Sequence, residues 1–109
     1  MADKEHIYEQ LVMRNLMTAV LLSKEPDVTK MAKKLGISST CLNERIRRLE
    51  VLIGVRLFNR IYNKTNRHKK DYHMRSECKK IFKTFEAILA PIKTLDGQIK
   101  RLRDKQEQA

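Results

Sequence analysis

The chain has 109 residues, 41% of them hydrophobic and 34% charged, with no Trp, three Gly and two Pro; this fits one small helix-rich domain plus an extended element and leaves no room for a second independent core. The formal charge of +11 is concentrated, because residues 30 to 70 carry twelve Lys and Arg against two acids, and the six bases from Arg56 to Lys70 meet no acid at all. A charge serving solubility alone would be spread out, so the distribution points to a polyanion, foremost a nucleic acid.

The start "MADKEHIYEQ" lacks the apolar stretch of a signal peptide, and no apolar run approaches about 18 residues, so a cytoplasmic protein without membrane contact is expected. Cys41 and Cys78 are too few for a disulfide framework, and their spacing to His68 and His73 matches no zinc pattern. No metal or cofactor is therefore expected. Cys41 reads as a small buried residue, Cys78 as part of an apolar seam, and the two histidines as surface groups. No paired carboxylates, Ser/His/Asp set or phosphate-cradling glycine loop is visible, which argues against an enzyme.

The spacing of Leu11, Val12, Leu16, Ala19, Val20 and Leu22 predicts a first helix over 7–23. Pro26 stops it, and Asp27 is placed to cap a second helix from Val28 to Leu35, whose apolar residues Val28, Met31, Ala32 and Leu35 share one side. Gly36 ends that helix. Ser38 or Ser39 then caps a third helix, in which Leu42, Ile46, Leu49 and Ile53 face the core while Thr40, Asn43, Glu44 and Arg47 point away from it. A short helix, a three-residue turn with Gly and a longer helix with a slim polar N-terminal face make a helix-turn-helix.

After Gly54, "VRLFNRIYN" reads as a strand with Val55, Leu57 and Ile61 on one face and Arg56 on the other; "NKTN" supplies a turn in which Asn takes the place of Gly, and "RHKKDYH" is the return strand. The expected fold is mainly α, a winged helix-turn-helix of three helices and a two-stranded wing over residues 1–73.

From Met74 the apolar residues Met74, Cys78, Ile81, Phe85, Ile88, Ile92, Leu95, Ile99 and Leu102 alternate at spacings of four and three, the signature of an a/d seam that needs a covering helix. A dimerisation helix over 74–105, about 45 Å long, is expected, with Cys78, Ile81, Phe85, Ile88, Ile92, Leu95 and Ile99 at the interface. Pro91 predicts a kink, and residues 106–109 a frayed tail.

"VTKMAKKLGISSTCLNERIRRLEVLIGVRLFNR", residues 28–60, strongly resembles the DNA-binding domain of LysR-type transcriptional regulators. Val28 and Thr29 stand where that family has Phe-Thr, Met31 and Ala32 where it has paired Ala, and Leu35 to Ser38 where it has Leu-Gly-Val-Ser. Ile46, Leu49, Glu50, Ile53, Gly54, Leu57, Phe58 and Arg60 fit the remainder. The resemblance implies a transcriptional regulator that dimerises through its linker helix, and places Thr29 against a backbone phosphate; control by the family's effector-binding domain is not expected.

The expected site combines these residues. Ser38, Ser39, Thr40 and Asn43 enter the major groove closely; helix capping is the lesser reading of Ser39 and Thr40 and is compatible with DNA contact. Arg47 reaches a guanine edge or a phosphate; Glu44 accepts from cytosine or narrows the register by repulsion. Arg56 and Arg60 grip phosphate at the wing's base, while Lys64, Arg67, Lys69 and Lys70 run along or in the minor groove. Arg45 and Arg48 point sideways, toward either the protein's own acids or DNA. The expected partners are double-stranded DNA and a second copy of the chain, on a two-fold operator at the nucleoid. The alternatives are a non-specific architectural protein and a truncated partner that pairs with a full-length regulator, or a contact with RNA polymerase.

Overall fold

The computed structural model of the chain describes residues 10–65 and 69–108. Helix α1 spans Met13–Lys24, α2 Val28–Leu35 and α3 Ser39–Ile53; strands β1 (Phe58–Tyr62) and β2 (Lys70–Met74) form an antiparallel hairpin, and a 3-10 turn at Ser76–Cys78 leads into α4, Lys79–Glu107. This is a winged helix-turn-helix followed by a long helix.

The boundaries have local causes. Leu11 and Val12 lie outside helical geometry, so α1 starts at Met13 and the expected helix from Ile7 is not continuous. Apolar spacing carries no information on that break, which is a matter of backbone angles. The Asp27 carboxylate accepts from the Lys30 N–H at 3.1 Å at the head of α2, and Ser38 Oγ from the Cys41 N–H at 3.0 Å at the head of α3, so Ser38 and not Ser39 is the cap. Gly36 and Gly54 close α2 and α3 at φ of 68° and 69°, the left-handed region that a side chain strains.

Asp27 also receives Lys69 Nζ at 3.1 Å. The Lys30 N–H above all, and Lys69 with it, holds its carboxyl below the usual value against the effect of burial. A carboxyl lowered on folding contributes stability above its unfolded value and loses it as pH falls through the folded one. Asp27→Asn is therefore expected to flatten the fall in melting temperature below about pH 4, measured by thermal unfolding across the acid range.

The core gathers Leu16, Ala19 and Leu22 of α1, Met31 and Ala32 of α2, Leu42, Ile46 and Leu49 of α3, then Leu57, Phe58, Tyr72, Cys78 and Phe82. Phe58 stacks edge-on against Phe82 at 5.5 Å and lies 5.9 Å from Tyr72. The Tyr72 N–H donates to Pro26 O at 3.0 Å, which ties the wing to the loop between α1 and α2, and the Arg75 N–H donates to Leu57 O at 2.9 Å, which closes the base of the hairpin. Strand pairing sets Phe58 opposite Met74, Arg60 opposite Tyr72 and Tyr62 opposite Lys70.

Several expectations change here. Val55, Arg56 and Leu57 precede β1, and Ile61 is half exposed, because strand alternation starting from buried Phe58 turns Ile61 to the opposite face. Within the turn, no described residue has positive φ; Asn63 Oδ1 instead accepts from the Thr65 N–H at 2.8 Å. Cys41 is exposed, one position off the buried stripe that holds Leu42. Met74 is the last residue of β2, and the long helix begins only at Lys79. It then runs uninterrupted through Pro91 and Gly97 to Glu107. Ala87 and Pro91 are both exposed, so the carbonyl that Pro91 leaves without a donor faces water rather than a core.

Cys78 is buried inside its own domain, with Sγ 3.4 Å from Arg56 O, and burial pushes its thiol pKa up; it is not at a helix-pairing face. Phe82 is buried with it, and Ile81 and Phe85 pack against the same core. The seam opens to solvent only from Ile88 onward, where Ile88, Ile92, Leu95, Ile99 and Leu102 are 38 to 57% exposed.

Candidate nucleic-acid interface

The head of α3 projects from the domain, and its polar sector divides between two neighbourhoods. Ser39 and Asn43 line a cleft shared with Thr29 at the start of α2 and with Tyr62, Lys70 and Tyr72 of the wing. Thr40, Glu44 and Arg47 lie on the side toward the start of α1. Thr40, Asn43 and Arg47 are exposed and Thr29 and Ser39 partly so. The side chains of Ser39, Thr40 and Asn43 are short enough to let a helix approach a groove floor, and each can donate and accept a hydrogen bond.

Arg56, Lys64 and Lys70 are exposed, and Lys70 Nζ sits 5.0 Å over the Tyr62 ring. Arg67 lies outside the described residues. Arg60, expected at a phosphate, and Lys69, expected along the minor groove, are both paired with the protein's own acids. Arg60 Nη2 donates to Glu50 Oε1 at 2.9 Å and its guanidinium lies 4.7 Å over the Tyr72 ring. Burial works against its charge, and the attractions of Tyr72 and Glu50 outweigh that, so its pKa is raised. Glu50 Oε2 accepts from the Leu57 N–H at 2.7 Å: one carboxylate thus fixes both the loop after α3 and the first strand. Lys69 is paired with Asp27.

Glu44 is also engaged. Arg47 Nε and Nη2 donate to its two oxygens at 3.0 and 2.7 Å, and Arg48 Nε donates to Oε1 at 3.0 Å. Hydrogen bonds from Arg47 and then Arg48 hold the Glu44 carboxyl down to about 2. A carboxylate so occupied is poorly disposed to accept from cytosine. Arg45 turns inward, with Nη1 3.3 Å from Thr18 Oγ1, which itself donates to Arg14 O at 2.6 Å. Sequence reasoning missed Tyr62, exposed on the wing face beside Lys70; an aromatic between bases in "NRIYNK" was the available signal.

No helix among the described residues is long and apolar enough to cross a membrane. No family model and no curated protein matches the sequence. Solved structures do. A BenM_DBD/catB site 1 DNA complex is 23% identical at a TM-score of 0.68, with 88% of this chain covering 96% of that one. Vibrio fischeri DarR in complex with DNA, described as one of the LTTR family, is 20% identical at 0.69 over 86% of this chain, and a LysR family transcriptional regulator is 23% identical at 0.66 over 81%. This chain spans 30% of the length of each of the latter two. The agreement covers most of the chain, so it has the winged helix-turn-helix fold, continued by a long helix, of LysR-type DNA-binding domains.

Proposed function

We propose that this protein is a sequence-specific DNA-binding transcriptional regulator that acts as a homodimer on a two-fold operator. The observation that carries the reading is the uncovered head of α3, whose Ser39 and Asn43 share one cleft with Thr29 and Lys70. A duplex laid across that cleft meets hydrogen-bonding groups at the base edges and cations at the phosphates. Arg56 and Lys64, exposed at the base and tip of the wing, extend the positive surface. BenM_DBD and DarR were both solved with DNA, which supports the same use of the fold here. Such a protein works in the cytoplasm, at the nucleoid.

The homodimer rests on the aliphatic stripe from Ile88 to Leu102, which is exposed among the described residues. Pairing two such helices would set two copies of α3 against successive major grooves, about 34 Å apart.

Selection from random duplex DNA at near-physiological salt tests the reading; palindromic enriched sites support it, and no enrichment refutes it. On the selected site, Asn43→Ala is expected to erode discrimination by about 1 to 3 kcal/mol. Lys70→Ala is expected to weaken selected and random DNA alike and to reduce the salt slope by about one. Equal effects of both variants on both kinds of DNA would instead indicate a non-specific architectural protein.

A further inference from the structure

Glu44 stands one helical turn before Arg47 and Arg48 on the exposed side of α3. Its contact with Arg47 involves one particular edge of the guanidinium. Arg47 Nε and Nη2 form the lateral edge, and both are taken by the carboxylate, at 3.0 and 2.7 Å. The terminal edge, made by Nη1 and the second hydrogen of Nη2, has no partner among the described residues, and Arg47 is exposed. Arg48 Nε shares Oε1 at 3.0 Å, so the carboxylate is itself held from a second direction.

A guanidinium presents two parallel N–H pairs, and either fits the N7 and O6 acceptors of guanine in the major groove. Unrestrained, an arginine on this face spends its charge equally well on any phosphate. We infer that Glu44 is a positioning residue: by occupying the lateral edge of Arg47 it aims the terminal edge at a guanine in the major groove, and it offsets the charge of Arg47 and Arg48 toward phosphates of arbitrary sequence. This rests on the DNA-binding function proposed above. Glu44 thus acts on discrimination through Arg47, without touching a base itself.

The test is Glu44→Gln in the full chain, bound to the selected site, to the same site with each guanine replaced in turn, and to random duplex. Loss of the carboxylate is expected to cut the preference for one guanine about tenfold, a loss of the size carried by a good bidentate contact. Affinity for random DNA should rise and its salt slope steepen by about one or two as the arginines turn to phosphates. Arg47→Ala should abolish the preference at that same base pair, which locates the effect. Thermal stability should be unchanged, since exposed pairs on a helix contribute little. If Glu44→Gln selects the same guanine as strongly as the wild type, or weakens selected and random DNA equally, the positioning role is overturned. A wild type with no base preference at all overturns this role together with the function it rests on.

Discussion

Ile92→Lys is expected to convert the proposed homodimer to monomer and to lower affinity for a two-fold site about 100-fold or more. Ile92 sits in the middle of the open stripe, between Ile88 and Leu95. Symmetric pairing puts the residue at the interface twice, and burying one such side chain is worth about 1.5 to 3 kcal/mol; the substitution removes both contributions and forces two ammonium groups into an apolar seam. Loss of the dimer then costs the avidity between half-sites, typically a factor of about 100 to 10,000. Sedimentation and DNA titration measure both effects. Because Ile92 is 42% exposed within the chain, the winged domain should keep its fold, visible as unchanged helicity and wing chemical shifts. A wild type that sediments as a monomer would instead favour pairing with a different regulator, and a variant that stays dimeric would place the contact elsewhere.

Glu50→Ala is the second large effect, and it concerns stability. The Glu50 side chain is 10% exposed and accepts from the Leu57 N–H and from Arg60. Its removal leaves a buried backbone donor without an acceptor and a half-buried guanidinium without a counter-charge. Breaking a buried pair from one side costs about 3 to 5 kcal/mol, and the partial exposure of Arg60 puts the expected loss at the lower end, about 3 kcal/mol. For a domain of this size that lowers the melting temperature by roughly 10 to 20 °C. Glu50→Gln keeps an acceptor for Leu57 and should lose about half as much. Urea unfolding at fixed protein concentration separates the cases; equal stability of all three proteins would show that the carboxylate holds neither the loop nor the strand.

The same residue shows how function and architecture overlap in the sequence. Glu50 and Arg60 both belong to the pattern that resembles LysR-type regulators, and a basic residue at the wing's base reads naturally as a phosphate contact. The structure places Arg60 on Glu50 and over Tyr72, so part of that pattern serves to lock the wing onto α3. Lys69 is similar, drawn to Asp27 across 42 positions of sequence. Of the described wing cations, Arg60 and Lys69 are held by the protein's own acids, while Arg56, Lys64 and Lys70 are exposed.

What the sequence determined by itself is local. The stripe of Leu42, Ile46 and Leu49, the cap at Ser38 and the left-handed closures at Gly36 and Gly54 each depend on residues within a few positions. Helix periodicity, capping and backbone strain act over that range, and so the helix-turn-helix and its polar head were legible. Tertiary structure alone decided the rest. The four-three alternation from Met74 to Leu102 runs unbroken through a strand end, a turn and a helix, so spacing could not show that Cys78, Ile81 and Phe85 are spent on the domain's own core while Ile88 to Leu102 remain open. Nor could charge show which cations are free, because ion pairing depends on partners brought close only when the chain folds.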